Sequence, residues 1–347
     1  MKLNNKNITR RNFLQKSAVT AGMATMGTVG LSTAYGNQNN YTYRLPREVW
    51  IASFSQTDMR ADTSEDMVEK VLGYLEDVVV YKPDIVCLPE IFPFFRVKKK
   101  YTLEESVIQS EKALAILSLF AQKNNCYCIC PVYTSENGNI YIAAVVYDRQ
   151  GKRIGEYRKT YPTDGEIERG ITPGPLCPPV FKTDFGIIGI QICFDVMWTE
   201  SWKLLREQGA EIVFFPSAFA AGRMLNAKAW QNKYVVVSST LQHTAKICDI
   251  TGEEIIKTDK WNPHLICAPV NLEKAFLHIY PYYKRFNEIR QKYGRKINIK
   301  IYDEEEWAII ESLSPDLRVN DILQEYEIIT HEELIRTAAT LQEQARK

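Results

Sequence analysis

Apolar and polar positions follow two different periods along most of the chain. Short, β-branched apolar runs predict buried strands, and the stretches between them carry apolar residues at helical spacing. Thr63 followed by Asp66 is typical of a helix start, and apolar positions from Met67 to Val78 continue that helix. A second amphipathic helix is predicted over about Glu104 to Asn124. The alternation of strands and helices indicates an α/β chain.

An internal repeat divides this pattern into halves. The turn Asp148-Arg149-Gln150-Gly151 lines up with Asp249-Ile250-Thr251-Gly252, and each turn joins two strands that follow two rounds of strand and helix. Between the two turns, Asn226 is predicted to cap a short helix that ends at Lys233. Two sheets stacked face to face, with helices outside, would bury the apolar faces of both halves. We therefore predict a four-layer α-β-β-α sandwich.

One apolar run ends abruptly at a cysteine. The isoleucine-rich stretch from Gly186 to Ile192 stops at Cys193, and a helical pattern opens at Thr199 and closes at Gly209. A strand that turns sharply into a helix places the turn residue at the carboxyl end of a sheet, where nucleophiles are common. The alternative is that Cys193 is only a small buried apolar residue, as most free cysteines are.

Polar residues also follow two other predicted strands. Glu90 leaves a short buried strand and precedes an aromatic loop, so partial desolvation would raise its pKa and suit it to act as a base. The alternative is a solvated loop glutamate. Lys159 lies just beyond the first hairpin, and the following segment, 163–174, is predicted to be a loop that carries Glu166 and Glu168.

The amino terminus has the features of a targeting segment. Thr9 to Lys16 contains adjacent arginines, Ala18 to Leu31 is weakly apolar, and Ser32-Thr33-Ala34 is a candidate cleavage site. We predict a twin-arginine export signal over residues 1–36, a linker over 37–47, and a periplasmic or otherwise exported protein without a membrane span. An amphipathic first helix is the alternative.

Composition narrows the function classes. The 347 residues carry a formal net charge of +1, so no basic surface for nucleic acid is expected. Most of the eight cysteines lie in strand-like apolar runs, which argues against a disulfide framework. Cys126, Cys128 and Cys130 alternate along one strand, a spacing that favours core packing over metal binding. The four histidines are not at ligand spacing, so no metal site is predicted.

Four sequence blocks, taken together, resemble the carbon–nitrogen hydrolase (nitrilase) superfamily over about residues 48–275. They are Leu88-Pro89-Glu90, Tyr157-Arg158-Lys159 with Pro173-Gly174, Gln191-Ile192-Cys193-Phe194-Asp195, and Asp249-Ile250-Thr251-Gly252-Glu253. The resemblance implies a four-layer sandwich and a cofactor-free catalytic set. In that set Glu90 is the general base, Lys159 stabilises the oxyanion and Cys193 is the nucleophile. A second glutamate that positions substrate fits Glu166 best, with Glu168 left open.

The residues after the nucleophile bear on the reaction. Cys193-Phe194-Asp195 looks like the amidase and carbamoylase branches, whereas nitrile-cleaving members usually carry Cys-Trp-Glu. We therefore expect hydrolysis of a small linear amide or N-carbamoyl amine through a thioester. The N–H of Phe194 would be a second oxyanion donor. Trp198 stands where many members have phenylalanine, so both aromatic residues are expected to shape the substrate site.

The sequence leaves three other functions open, two of them reactions and one of them binding without catalysis. The same site could cleave nitriles or pass its acyl group to an amine, and an inactive relative could bind a metabolite. A papain-like protease is disfavoured because no histidine lies in a motif that would pair with Cys193.

The tail and the assembly complete the expectations. Residues 276–347 match no feature of the family, and their aromatic run Tyr280 to Tyr283 and acidic patch 303–306 suit a dimer arm, a lid or a solvated surface. The resemblance implies pairing through helices next to the nucleophile. We expect a homodimer or larger even oligomer, with Trp202 and Leu205 exposed on the helix from Thr199 to Gln208 as possible contacts.

Overall fold

Two six-stranded sheets form the centre of the computed structural model, which describes residues 45–347. The predicted export signal and most of the predicted linker lie outside the described residues. The first sheet has, in spatial order, β12 (Leu265–Asn271), β1 (Glu48–Phe54), β2 (Ile85–Cys87), β3 (Tyr127–Glu136), β4 (Asn139–Tyr147) and β5 (Arg153–Arg158). The second has β11 (Glu254–Lys257), β10 (Lys246–Cys248), β9 (Val235–Thr240), β8 (Ile212–Ser217), β7 (Ile187–Ile190) and β6 (Val180–Lys182).

The two sheets repeat one pairing pattern. In the first, β1, β2 and β3 are parallel, and β4 and β5 continue as antiparallel strands. In the second, β7, β8 and β9 are parallel, and β10 and β11 continue in the same way. The predicted repeat of two similar halves is therefore confirmed.

Helices cover the outer face of each sheet. The helices α1 (Ser64–Val79) and α2 (Leu103–Asn124) pack on the first sheet through side chains such as Leu75 and Leu117. The short helix α3 (Asp164–Glu168) follows β5, whereas α4 (Thr199–Glu207) and α5 (Arg223–Asn232) pack on the second sheet. A third core, which includes Ile129 and Phe214, lies between the sheets. This arrangement confirms the predicted four-layer sandwich.

The two repeated hairpin turns are held by equivalent contacts. Gly151 and Gly252 have φ of 72° and 78°, and a Cβ at either would lie 2.4 or 2.5 Å from the carbonyl oxygen of Ser118 or Asn226. The Ser118 hydroxyl donates to the Gly151 carbonyl, and the Asn226 side chain donates to the Gly252 carbonyl, each at 2.6 Å. Both turns need glycine because the backbone of the second helix of each half passes so close.

Three local predictions are wrong. Asn226 does not cap α5, because the helix already begins at Arg223 and Asn226 instead holds the Gly252 turn. Trp202 and Leu205 are fully buried rather than exposed, since the apolar face of α4 packs on its own sheet. The segment 163–174 is not all loop, because Thr163 and Glu166 form a capping box that starts α3.

The tail forms a third sheet with its own core. Its strands, in spatial order, are β13 (Lys274–His278), β15 (Trp307–Ser312) and β14 (Ile297–Tyr302). The helices α6 (Tyr283–Tyr293) and α7 (Val319–Glu325) complete a core that includes Leu277 and Phe286, and α8 (His331–Ala345) follows. The acidic residues 303–306 are exposed in the turn between β14 and β15.

The eight cysteines are free thiols, and those of the predicted alternating strand lie in the core beneath α1 and α2. Within residues 45–347, no helix combines the length and hydrophobicity that a bilayer crossing requires.

Candidate active site

The fold brings three of the predicted site residues into direct contact. Glu90 follows β2, Lys159 follows β5, and Glu166 lies on α3. The Lys159 Nζ donates to Glu90 Oε1 at 2.8 Å and to the two Glu166 carboxylate oxygens at 2.9 and 2.8 Å. Their side chains are 0%, 3% and 14% exposed, respectively, so the ammonium lies between two carboxylates with little access to water.

Glu166 is held in place by the helix that it begins. The Thr163 side chain accepts from the Glu166 N–H, and the Thr163 N–H donates to Glu166 Oε2 at 2.7 Å. The carboxylate that caps α3 is therefore the one that meets Lys159. The sequence left open whether the second glutamate of the site is Glu166 or Glu168. Glu168 lies exposed at the other end of α3, so the geometry favours Glu166.

Cys193 lies at a sharp turn between β7 and α4. Its φ is 50°, in the left-handed region that costs a non-glycine residue roughly 1–2 kcal/mol, and a short 3-10 turn (Cys193–Met197) follows. The residue is 8% exposed. This turn is the elbow that the abrupt end of the isoleucine-rich run predicts.

Asp195 ties the elbow to the segment that carries Lys159. Its Oδ2 accepts from the Ile192 N–H at 2.7 Å and from the Tyr157 hydroxyl at 2.6 Å. Its Oδ1 accepts from the Tyr161 N–H at 2.8 Å. Tyr157 and Tyr161 flank Lys159 in sequence, so one fully buried carboxylate joins the Cys193 turn to the segment that carries Lys159. Asp195 belongs to the Gln191–Asp195 block, but the sequence alone indicated no role for it.

The end of β8 supplies donors that the sequence analysis missed. The Ala218 N–H donates to Glu90 Oε2 at 2.9 Å. Ala218 and Ser217 also act to lower the pKa of the Cys193 thiol. Backbone donors carry no signature in sequence. The only available signal was that Ser217 ends a buried strand next to the one that leads to Cys193.

Aromatic side chains surround these polar groups. Trp198 stacks on Tyr161 with ring centroids 4.0 Å apart, and Phe194 meets Trp198 edge-on at 5.1 Å. Both predicted substrate residues, Phe194 and Trp198, are half-buried. Tyr133 is buried beside Phe94 at 5.4 Å and interacts electrostatically with the two glutamates and the lysine.

Comparison with known proteins gives this site a context. The sequence profile of the carbon–nitrogen hydrolase family matches residues 51–275, most of the chain. The chain belongs to this family. Members of the family act on non-peptide C–N bonds.

Similar sequences include amidases of several kinds. The chain is 28% identical over 211 residues to the deaminated glutathione amidase of Synechocystis sp., covering 54% of this chain and 76% of the relative. It is 26% identical over 180 residues to the N-carbamoylputrescine amidase of Oryza sativa subsp. japonica, covering 48% and 57%. It is 22% identical over 258 residues to a citrullinase of Francisella tularensis, covering 64% and 87%.

Solved structures share the fold. An amidase from Nesterenkonia sp. superposes with a TM-score of 0.59 at 18% identity, covering 65% of this chain and 91% of the other. A carbon–nitrogen hydrolase from Helicobacter pylori G27 superposes with a TM-score of 0.58 at 19% identity, covering 72% and 94%.

Charge and burial set the protonation states in this carbon–nitrogen hydrolase. Burial, together with the Glu90 carboxylate, raises the pKa of the Cys193 thiol to about 12, although Lys159 and the Ala218 and Ser217 hydrogen bonds act against this rise. Burial acts to lower the pKa of Lys159, but the facing Glu90, Cys193 and Glu166 raise it overall. At neutral pH the site therefore holds a protonated thiol beside a protonated lysine. A thiol in that state needs a base to react as a nucleophile.

Asp195 has its own balance of charge and burial. Complete burial raises its pKa to about 7, and the hydrogen bonds from Tyr157, Ile192 and Tyr161 oppose that rise. The carboxylate form keeps all of its acceptors, whereas the protonated form loses one of them. The link between the two halves of the site is therefore strongest in the ionised state.

Proposed function

We propose that this protein is an exported thiol hydrolase that cleaves a linear amide or an N-carbamoyl amine through a thioester on Cys193. The observation that carries the proposal is the buried Glu90–Lys159–Glu166 set beside a cysteine with a left-handed backbone. The family and its amide- and carbamoyl-cleaving relatives support the reaction class.

The proposed reaction has two stages. In the first, Glu90 takes the thiol proton as the Cys193 sulfur attacks the carbonyl carbon, and the oxyanion develops toward Lys159 and the Phe194 N–H. Glu90 then gives that proton to the leaving nitrogen, so ammonia or an amine departs and a thioester remains. In the second stage Glu90 takes a proton from water, the hydroxyl adds to the thioester carbon, and the proton returns to the departing sulfur.

The charges on the site support these roles. Burial and the neighbouring Glu90 carboxylate both disfavour a thiolate, which explains why the thiol keeps its proton until a substrate arrives. Lys159 stays protonated between the two carboxylates, so it acts as a fixed positive charge rather than as a base. Glu166 supports that charge by accepting from Lys159 with both carboxylate oxygens.

A similar protein provides a precedent for the covalent step. A variant of the Nesterenkonia amidase carries the acetamide moiety of fluoroacetamide at its active-site cysteine. If Cys193 has the same role here, the same reagent should label it.

The test is site-specific trapping. Mass spectrometry of the full chain after treatment with fluoroacetamide, or during turnover of a slow amide, should find the adduct on Cys193. Cys193→Ala should lose both adduct and turnover, whereas Cys177→Ala, which removes an exposed thiol, should keep both. Glu90→Gln should reduce turnover by roughly a hundredfold to ten-thousandfold. Full activity in Cys193→Ala would refute the thioester mechanism, and screening amides, carbamoyl amines and nitriles for ammonia release would identify the substrate.

Export and assembly belong to the same proposal. The adjacent Arg10 and Arg11 motivate the twin-arginine route, so replacing both with lysine should retain the protein in the cytoplasm; normal export of that variant would contradict the assignment. We also propose an even oligomer, on the basis of the family resemblance. A monomeric mass in solution light scattering at micromolar concentration would rule it out.

A further inference from the structure

A cavity of about 180 Å³ lies between the second sheet and the tail. One wall contributes Arg206 from the last turn of α4 and Lys233 from the end of α5. The tail contributes Phe276 from β13 and His331 from the first turn of α8. The volume suits a small organic molecule, since an engineered protein cavity of about 150 Å³ holds benzene.

The carboxylates that line this cavity are already paired. Glu332 forms an ion pair with Arg206, and Glu211 pairs with Arg47 at 2.9 Å. Another lining cation, Lys274, is neutralised from outside the cavity by Asp249 at 2.9 Å. The acidic groups of the wall are therefore committed to other cations.

Lys233 differs from these cations. Its ammonium lies 4.1 Å from the ring centroid of Trp230 and 4.2 Å from that of Phe276, and it donates to the Trp230 carbonyl. Across residues 45–347 no carboxylate lies within ion-pair distance of it. The ammonium is half-buried, and two ring faces and one carbonyl replace only part of the hydration that it loses there. It keeps N–H donors that a ligand can use.

We propose that this cavity binds a small oxyanion, a carboxylate or a phosphate, through Lys233, with Arg206 as a second contact through the guanidinium N–H groups that its pair with Glu332 leaves unused. Thr330, which caps α8, and the first two residues of that helix, His331 and Glu332, also line the cavity. Burial and the nearby Arg206 lower the pKa of Lys233 to about 8. Burial, Lys233, His278 and Arg206 lower the pKa of His331 to about 4, against the opposing effect of Glu332. Both shifts agree with a positive potential around Lys233, whose charge has no paired carboxylate within residues 45–347.

The site joins the tail to the nucleophile elbow. Arg206 lies on α4, which begins directly after the turn at Cys193, and the Trp202 indole of that helix donates to the Asp195 carbonyl at 3.0 Å. A bound oxyanion would add to the Arg206–Glu332 ion pair, which already joins the end of α4 to the start of α8. The inference does not depend on the proposed amidase activity, because none of these residues belongs to the catalytic set.

The test is direct binding to the full chain. Isothermal titration with sodium phosphate and with sodium acetate, against sodium chloride at equal ionic strength, should give saturable binding in at least one of the first two arms. The arm that binds identifies the source of the oxyanion. Lys233→Met should weaken binding at least tenfold, whereas Lys260→Met, which removes an exposed lysine stacked on Trp261, should leave it unchanged. Arg206→Gln is a second variant, in case the first does not fold.

A second readout does not need the variants. Proton NMR of the four histidines, with His331 assigned by His331→Gln, should show the pKa of His331 rising when the binding salt saturates the protein. No saturable binding up to about 10 mM of either salt would overturn the proposal. Equal binding by Lys233→Met and the parent protein, or an unmoved His331 titration at saturation, would overturn it as well.

Discussion

Replacing Asp195 with asparagine tests whether this carboxylate holds the active site together. The change keeps the shape of the side chain but leaves one acceptor oxygen where three donors converge. The Tyr157 hydroxyl can turn toward Thr160 Oγ1, 3.0 Å away, but the backbone N–H groups of Ile192 and Tyr161 have no such alternative. Whichever way the amide is oriented, its NH₂ group faces one of these backbone donors.

The expected loss follows from that unsatisfied donor. Leaving one buried donor without an acceptor costs about 1–3 kcal/mol of unfolding free energy. The effect should be measured at pH 8, because above its pKa of about 7 the parent carboxylate is ionised and accepts from all three donors. The variant also removes the burial penalty of that charge, which offsets part of the cost. Catalysis should suffer more than stability, because a displacement of about 1 Å between Cys193 and Lys159 can cost roughly a hundredfold in rate.

The assay combines urea unfolding with kinetics on an amide that the parent protein hydrolyses. Asp184→Asn is the matched control, because that carboxylate is 53% exposed, pairs with Arg149 at 2.6 Å and should contribute no more than about 1 kcal/mol. An Asp195→Asn variant with unchanged unfolding free energy and unchanged kcat/KM would show that the carboxylate has no positioning role. A loss of stability without loss of kcat/KM would refute the link to catalysis.

Three further outcomes follow from the same structure. Glu166→Gln should lower kcat/KM at least tenfold while Glu168→Gln, at the exposed end of the same helix, should not; equal effects of the two in a kinetic assay would contradict the assignment. Gly252→Ala should destabilise the protein by more than about 2 kcal/mol in urea, because its Cβ meets a backbone carbonyl, whereas Gly138→Ala, with φ of 80° and open space, should cost only the roughly 1–2 kcal/mol of the left-handed conformation. Folding raises the pKa of Asp195 from its ordinary value of 3.8 to about 7, so its contribution to stability should fall as pH rises through that range. Asp195→Asn should therefore flatten that part of a stability–pH profile.

Local patterns were enough to predict the sandwich and the elements that carry the candidate site residues. Helical spacing and the Thr63–Asp66 pair predicted the start of α1, and the two glycine turns revealed the repeat of two similar halves. Glu90, Lys159 and Cys193 were recognisable because each follows a strand, where a sheet presents its polar side chains. These features depend on neighbouring residues, so the sequence displays them directly.

Other features depended on which surfaces meet in three dimensions. The choice of Glu166 over Glu168 depends on how α3 is oriented toward Lys159. The Tyr157 and Tyr161 donors to Asp195 and the Ala218 donor to Glu90 come from segments far apart in the chain. Trp202 was assigned to an interface because an apolar helix face indicates burial without naming the surface that buries it. The cavity at Lys233 likewise exists only because the tail folds back toward α4. Periodicity and capping are local and can be read from one strand or helix, whereas hydrogen-bond partners and buried surfaces are decided by tertiary packing.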